Sequence, residues 1–289
     1  MQTFPYFDAH CDTLSRCVEE GWDLFRNPGH LDLERLSAYA PMGQVFALYR
    51  DGASAPPAEL FASVRAQADC FRQAKERHGE LMKRCVLSLE GAELIGCDER
   101  RLEELKGWGV RWINLTWNHP NALAAPHTMD RGLTEAGRSF ARRARELGIY
   151  IDVSHLSDRG FWALMELDGG AVVASHSNSR ALCPHSRNLT DDMAREIFRR
   201  GGFVGVNFCT YFLGEHPTVD TAAAHIENFL ELGGENCIGL GSDFDGADVP
   251  EDLSGVEDLP NLWEALCRRN YPEALVEKIF YRNLHQFLQ

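Results

Sequence analysis

Histidines and carboxylates in this sequence recur directly after short apolar runs. They occur in five segments, which are Asp8-Ala9-His10-Cys11-Asp12, Leu89-Glu90-Gly91, Asp152-Val153-Ser154-His155, Ser175-His176-Ser177 and Ser242-Asp243-Phe244-Asp245-Gly246. Imidazole nitrogens and carboxylate oxygens in this mixture suit Zn²⁺ and, less specifically, Mn²⁺ or Co²⁺. Because five separate runs each deliver such a residue, packing alone explains the pattern poorly, and we interpret the set as a candidate metal centre.

Each segment is weaker evidence by itself. His10 and Asp12 are two residues apart, so their side chains would lie on the same side of an extended chain. A surface histidine beside a turn aspartate is the alternative. Glu90 follows a largely apolar run without an evident basic partner nearby in sequence, and a buried carboxylate needs a metal or hydrogen bonds to offset its desolvation. A hydrogen-bonded structural glutamate is the alternative there.

The remaining candidates follow later apolar runs. His155 and His176 end successive runs, so we expect them to be neighbours, and two adjacent imidazoles resist joint protonation but suit a divalent cation. Two unrelated core histidines are the alternative. Asp243 and Asp245 flank Phe244, so both could face the same side. Only one of them is needed in the site, and the other would cap the loop.

These candidates are sufficient for two metal ions if one carboxylate bridges them. The predicted metal ligands are His10, Asp12, Glu90, His155 and His176, with Asp243 beside them. A two-metal site generates a hydroxide near neutral pH and holds a substrate carbonyl, and Asp243 could take and return the proton. The predicted chemistry is hydrolysis of an amide or similar bond, with Asp243 and Glu90 as the catalytic residues.

The apolar runs themselves predict the elements that position these side chains. We predict strands at Thr3–Phe7, Gln44–Tyr49, Arg84–Leu89, Val110–Thr116, Ile149–Val153, Ala171–Ala174, Phe203–Asn207 and Cys237–Gly241. Several runs are nearly continuous hydrophobics, which suits parallel strands covered on both faces. The stretches between them carry helical patterns, and we predict helices at Leu60–His78, Thr134–Leu147, Leu189–Arg200 and Thr221–Leu232.

Strand followed by helix, repeated along the whole chain, predicts a parallel sheet that closes on itself. We therefore predict an α/β fold of the (β/α)₈ TIM-barrel type, in which the strand ends converge on one rim and form the active site. A doubly wound open sheet is the alternative, but it would normally have fewer strands and a glycine-rich fingerprint after the first. No linker divides the chain, so we predict one domain over residues 1–289.

Composition restricts the partners and the compartment. The chain has 289 residues, 44% of them hydrophobic, and a formal charge of −14, which disfavours binding to nucleic acid. Its nine cysteines show no disulfide-scaffold spacing and predict free thiols in a reducing cytosol. The N-terminus is unlike a signal peptide and no apolar run reaches about 20 residues. We expect a soluble cytoplasmic protein without a membrane segment, and a homodimer as the base-rate oligomer.

The ordered motifs resemble the membrane (renal) dipeptidase family of metallopeptidases, which are amidohydrolase-type barrels with a dinuclear zinc centre. The similarity covers essentially the whole chain. Besides the segments above, it runs through Asn114-Leu115-Thr116-Trp117-Asn118 and Ser186-Arg187-Asn188-Leu189-Thr190-Asp191-Asp192. The resemblance implies a dipeptidase with two Zn²⁺ ions per chain and a dipeptide substrate, including dipeptides with a D-configured C-terminal residue. The C-terminus has no anchor signal, so we expect a free cytosolic enzyme, unlike membrane-bound relatives.

The resemblance also implies roles for single residues. His10 and Asp12 are expected to bind the first zinc, and Glu90 is expected to bridge to a second zinc held by His155 and His176. Asp243 is then the proton shuttle. The expected substrate-binding residues are Arg187, which would hold the free carboxylate of the dipeptide, together with His119 and Asp12.

One position departs from the family. Well-known dipeptidases carry a histidine after the Leu-Thr pair of the fourth strand, where it contacts the substrate carbonyl region, and this sequence has Trp117 there. Either His119 takes that role or the loop binds substrate differently. Cys11, Cys183 and Cys209 also lie near the rim in sequence, and we predict packing roles for them because the histidine and carboxylate set is already complete.

Two other functions stay open at this point. A related binuclear amidohydrolase could act on a lactone, a cyclic amide or an N-acyl amino acid, and Trp117 motivates that alternative. A non-catalytic metal-binding protein is the third reading. The presence of all six candidate side chains argues against it.

Overall fold

Eight parallel strands close into a barrel in the order in which they occur along the chain. The computed structural model describes residues 4–167 and 170–289. The strands are β1 (Tyr6–Cys11), β2 (Met42–Leu48), β3 (Val86–Leu89), β4 (Val110–Asn114), β5 (Tyr150–Asp152), β6 (Val173–Ala174), β7 (Phe203–Val206) and β8 (Ile238–Leu240). The closed order and the parallel pairing confirm the predicted (β/α)₈ fold.

Helices connect the strands on the outside of the barrel. The α-helices are α1 (Thr13–Glu20), α2 (Leu33–Leu36), α3 (Pro57–Arg77), α4 (Leu102–Trp108), α5 (Glu135–Glu146), α6 (Asp158–Met165), α7 (Asp191–Arg199), α8 (Thr210–Leu213), α9 (Val219–Glu231), α10 (Leu259–Arg268), α11 (Glu273–Glu277) and α12 (Asn283–Phe287). Short 3₁₀ turns cover Ala92–Ile95, Glu99–Arg101, Glu251–Leu253 and Val256–Asp258, and a π-helical turn covers Lys278–Arg282. No helix of the described ranges is both long and apolar enough to cross a membrane.

The largest error in the predicted strand boundaries is in the first strand, and the bounds of the other strands differ by one or two residues at most. The sequence predicted Thr3–Phe7, of which Thr3 lies outside the described residues, whereas the observed strand is Tyr6–Cys11. The polar Asp8 continues the strand because its buried carboxylate accepts hydrogen bonds from Tyr6 Oη at 2.7 Å and from the backbone of Ser242. These bonds offset the desolvation of the carboxylate and tie β1 to the chain after β8.

The helix starts follow local capping chemistry. Thr134, the first residue of the predicted helix Thr134–Leu147, is the N-cap of α5 and accepts a hydrogen bond from Gly137 N, and Thr190 caps α7 in the same way. The predicted start of α9 at Thr221 is two residues late. Thr218 is the actual N-cap there, and Thr221 returns a hydrogen bond to the Thr218 backbone in a capping box.

The interior of the barrel is filled by side chains from strands on different sides. Phe7, Val45, Trp112 and Phe203 belong to one buried apolar cluster, to which the C-terminal Leu284 also contributes. Residues of these separate strands can meet only inside the closed sheet. The interior is therefore a packed core that closes one end of the barrel, and the polar residues collect at the other.

Two glycines allow the last strands to approach each other closely. A Cβ atom added at Gly205 or at Gly241 would overlap the carbonyl oxygen of Ser175. This contact lies directly below the rim, because Ser175 precedes His176 and Gly241 follows β8. The absence of side chains at both positions therefore permits the spacing on which the rim depends.

We expect Gly241→Ala to destabilise the protein by about 1–3 kcal/mol, because overpacking forces a backbone shift at this point. Gly107 is the matched control, since it lies inside α4 with no atom within 4 Å of an added Cβ. Gly107→Ala should be neutral or stabilise by about 1 kcal/mol. Urea denaturation of the two variants checks this, and equal free energies of unfolding would contradict it.

Candidate metal centre

The six residues predicted for the metal centre meet at the C-terminal rim of the barrel. They come from five strands, with His10 inside β1, Asp12 just after β1, Glu90 after β3, His155 after β5, His176 after β6 and Asp243 after β8. The first five are almost fully buried. The parallel topology thus brings together side chains that are distant in sequence.

Glu90 lies at the middle of this cluster and is 4% exposed. Its Oε2 atom is 3.5 Å from His10 Nε2. Its Oε1 atom is 2.7 Å from His155 Nε2 and 3.4 Å from His176 Nε2. The two carboxylate oxygens therefore face two different sets of ligand atoms, which is the geometry that a bridging carboxylate needs.

The first set lies around Glu90 Oε2. His10 Nε2 is 3.3 Å from Asp12 Oδ2, while Asp12 Oδ1 is buried and has no hydrogen-bond partner among the described residues. A Cβ atom at Gly246 would overlap Asp12 Oδ2, so glycine is required there for Asp12 to reach the cluster. An orphaned buried carboxylate oxygen is costly, and a bound cation would compensate it.

The second set consists of two imidazoles whose lone pairs face each other. The Nε2 atoms of His155 and His176 are 3.1 Å apart. Ser175 donates its hydroxyl proton to the carboxylate of Asp152, so its oxygen accepts the proton on His176 Nδ1 at 2.7 Å. His176 Nε2 is therefore unprotonated and free to coordinate.

The pKa values of these histidines agree with that assignment. Burial, together with the charges of His10 and Arg187, lowers the pKa of His155 and of His176 well below its usual range. Burial would lower the pKa of His10 as well, but attraction to Glu90 and Asp12 raises it well above that range. The imidazoles of His155 and His176 are therefore neutral and suited to binding a metal. His10 lies among carboxylates, which favour a positive charge at its position, whether from a proton or from a metal ion.

Asp243 completes the acidic side of the cluster. Its backbone adopts a left-handed conformation with φ 63°, and its Oδ1 atom lies 3.8 Å from His10 Nε2. Asn207 donates from Nδ2 to Asp243 Oδ2 at 2.9 Å. Burial, with repulsion from Asp12, raises the pKa of Asp243 despite the opposing charge of His10. A carboxyl group whose pKa is raised is suited to proton transfer.

Three overlapping groups of residues could each hold a metal ion, because the ligand atoms within each group lie within 4.8 Å of one another. The groups are His10, Asp12 and Glu90; Glu90, His155 and His176; and His10, His176 and Asp243. Neutral imidazole nitrogens and carboxylate oxygens at this spacing, with an unsatisfied carboxylate oxygen among them, fit divalent metal ions. The third group shows that Asp243 also comes within reach of the same atoms.

Arg187 lies beside this cluster and is 4% exposed. Its Nη2 atom is 3.1 Å from His155 Nε2, while Nε and Nη1 have no hydrogen-bond partner within the described part of the chain. Its planar group also stacks over Phe212, 5.4 Å from the ring centroid. A buried guanidinium with two open donors is prepared to bind an anion.

The structure does not bring His119 into the cluster. Its side chain is 53% exposed and lies 3.6 Å from Asp51. Trp117 instead approaches the site, with its ring 6.1 Å from that of His155 and 5.1 Å from that of Tyr49. Substrate binding by His119 stays a prediction that its position does not support.

Asp245 and the cysteines take structural positions. Asp245 accepts hydrogen bonds from Thr13 Oγ1 at 2.5 Å and from His30 N at 2.7 Å, which ties its loop to α1. All nine cysteines are free thiols, and none belongs to the three groups of ligand atoms in the described ranges. Cys11 is packed in the hydrophobic core.

Sequence reasoning gave no role to two amides that contact the cluster. Asn118 Oδ1 lies 2.9 Å from His155 Nδ1, and Asn207 holds Asp243. Asn118 follows the predicted fourth strand and Asn207 is the last residue of the predicted seventh strand, so both lie near the same rim. The rule that located the histidines could therefore have included them, but an amide by itself signals no metal chemistry.

Comparison with known proteins identifies the family to which this chain belongs. The family model for membrane dipeptidases, peptidase family M19, matches residues 1–289. The chain belongs to this family. It is thus a metallopeptidase of the dipeptidase type. In enzymes with this fold the active site generally lies at the C-terminal rim of the barrel.

Individual relatives agree with this membership. An uncharacterized protein encoded in the 5′ region of pqqA in Klebsiella pneumoniae is 36% identical over 212 residues, covering 68% of this chain and 78% of that protein. The crystal structure of a dipeptidase of metallopeptidase family M19 has a TM-score of 0.88 at 29% identity and covers 99% of this chain and 98% of its own.

A third relative carries a bound ligand. It is a metallopeptidase from Rhodobacter sphaeroides liganded with a phosphinate mimic of the dipeptide L-Ala-D-Ala. Its TM-score is 0.88 and its identity 29%, and the alignment covers 99% of each chain.

We expect metal binding to weaken as the pH falls. Burial raises the pKa of Glu90 to about 7, so below that pH the metal-free protein takes up a proton on a carboxylate that a metal needs ionised. The apparent dissociation constant should rise about tenfold per pH unit for each proton that the metal displaces. Chelator competition at pH 8 and pH 6 measures this, and an unchanged affinity would contradict a role for Glu90 as ligand.

Proposed function

We propose that this protein is a zinc-dependent dipeptidase that binds two Zn²⁺ ions per chain, with Mn²⁺ or Co²⁺ as substitutes. The observation that carries the proposal is the position of Glu90, whose two oxygens face separate sets of ligand atoms. His10 and Asp12 would hold one ion and His155 and His176 the other. When bound, such ions supply Lewis acidity, which activates a water molecule and polarises the scissile carbonyl.

The substrate would be oriented by Arg187. Its open guanidinium donors suit a carboxylate, and its Nη2 atom lies at hydrogen-bond distance from His155. A terminal carboxylate bound there is therefore held next to the metal cluster. The bond presented for cleavage is then the last peptide bond of the substrate, which a dipeptide satisfies directly.

Asp243 would move the proton. It lies within 3.8 Å of His10 and is held by Asn207 through its other oxygen, so one carboxylate oxygen is free to face the reacting water. As general base it takes a proton from that water, and as general acid it returns a proton to the leaving amine. The elevated pKa of Asp243 suits both steps.

The rim next to this centre offers space for side chains. A cavity of about 570 Å³ borders Gly246 and is lined in part by Trp22, His30 and Tyr211. The phosphinate ligand of the Rhodobacter sphaeroides relative mimics L-Ala-D-Ala, a dipeptide with a D-configured C-terminal residue. We therefore include L-D dipeptides among the proposed substrates.

We expect zinc-loaded protein to hydrolyse dipeptides, and a chelator to abolish the activity reversibly. Asp243→Asn should lower kcat by about 10²- to 10⁴-fold, the range for loss of a general acid or base, while two zinc ions remain bound. The control is Asp192→Asn, the same chemical change at an exposed position of α7 that does not line the cavity beside Gly246. Ninhydrin assays on L-L and L-D dipeptides, with tripeptides alongside, provide the measurement.

The outcomes separate the possible functions. Loss of activity only in Asp243→Asn supports the proposal, and the tripeptides show whether length matters. Hydrolysis of lactones or N-acyl amino acids without any dipeptide hydrolysis would instead favour a related amidohydrolase, for which Trp117 at the site is the supporting feature. Two bound zinc ions with no activity on any amide or ester would indicate a non-catalytic protein.

Arg187→Met should raise KM for a dipeptide about 100-fold, because it removes charge-assisted hydrogen bonds worth about 1.5–3 kcal/mol and preserves the apolar stem. The same dipeptide with an amidated C-terminus is the matched substrate, since it offers no carboxylate to Arg187. The variant should handle that amide about as well as the unmodified protein does. Steady-state kinetics with the two substrates measure this effect. An equal increase in KM for both substrates would rule out recognition of the carboxylate by Arg187.

A further inference from the structure

The two ring nitrogens of His155 have different neighbours. Nε2 faces the metal cluster, 2.7 Å from Glu90 Oε1 and 3.1 Å from both Arg187 Nη2 and His176 Nε2. A neutral imidazole that binds a metal through Nε2 carries its proton on Nδ1. The partner of Nδ1 is Asn118 Oδ1 at 2.9 Å, an amide oxygen that accepts this proton.

The two imidazoles of the second set are thus held by different kinds of support. His176 is held by Ser175 and, through it, by Asp152, and all three are at most 1% exposed at the ends of neighbouring strands. His155 is held by Asn118, which lies on the loop after β4 and is partly exposed. The orientation of His155 therefore depends on that loop.

The loop has its own anchor in Glu93. Trp117 N donates to Glu93 Oε1 at 3.1 Å, and Asn121 Nδ2 donates to Glu93 Oε2 at 2.8 Å. These bonds hold the backbone just before Asn118 and the side chain of Asn121 after it. The side chain of Asn118 is thereby presented to His155 from a held loop, and the ring of the neighbouring Trp117 lies 6.1 Å from that of His155.

We propose that Asn118 is a positioning residue for the second metal ion, and that it sets the affinity of that ion by holding His155 Nε2 toward Glu90. The inference rests on the proposed binuclear centre. Partners of the remote ring nitrogen orient the imidazole and raise its basicity, and their loss typically costs 10- to 100-fold in metal affinity. The effect should be confined to the ion that His155 binds.

The test is an equilibrium titration of metal-free protein with Zn²⁺ against a chromophoric chelator. We expect Asn118→Leu, which keeps the size but cannot accept a proton, to weaken one of two zinc dissociation constants by about 10- to 100-fold and to leave the other unchanged. Asn118→Asp should bind that ion at least as tightly as the unmodified protein, because a carboxylate accepts the Nδ1 proton more strongly.

His119→Asn serves as the control, because it changes the neighbouring residue of the same loop without touching His155. It should retain both constants. If Asn118→Leu also retains both constants while the unmodified protein binds two ions, the inference is overturned and the proposed function survives. Equal weakening in all three variants would show a general loop defect and overturn it as well. An unmodified protein that binds fewer than two zinc ions would refute the binuclear centre and the inference together.

Discussion

The buried carboxylate of Glu90 is the constraint around which the rim is arranged. A charge at 4% exposure has lost most of its hydration, and the nearest groups are two neutral imidazoles and a histidine that shares its proton with other carboxylates. Such a cluster is short of positive charge. Divalent cations would remove that deficit. Without them, burial raises the pKa of Glu90, whereas burial lowers the pKa of His10 but attraction to Glu90 and Asp12 outweighs it and raises that pKa.

Some polar groups around the cluster have hydrogen-bond partners within the described ranges of the protein, and others have none. Asp152 accepts from Ser154 and Ser175, and Asn207 is held through its backbone by Asn178 while its side chain holds Asp243. These groups need nothing further and keep the rim rigid. Among the charged side chains of the cluster that the structure describes, one oxygen of Asp12 and two nitrogens of Arg187 have no hydrogen-bond partner, and they lie where a cation and an anion would bind.

The closed barrel explains why so much polarity is tolerated at one end. The opposite end is filled by apolar side chains and covered by the C-terminal helices. Gly205, Gly241 and Gly246 have no side chains where the backbone or a ligand side chain passes closely, and each could be replaced only by moving the rim. The fold and the site are therefore coupled through a few contacts below and beside the cluster.

The sequence by itself determined the (β/α)₈ order and six of the side chains at the rim, because apolar runs, helix caps and strand-end polarity are local signals. It placed Asp8 outside β1, since the hydrogen bonds from Ser242 that keep this carboxylate in the strand come from the far end of the chain. It could not choose between His119 and Trp117, because loop geometry decides which ring reaches His155. Nor could it show that the two oxygens of Glu90 face different ligand sets, that Asn118 orients His155, or that the donors of Arg187 are open. These features are distances between residues remote in sequence, and only the closure of the barrel brings them together.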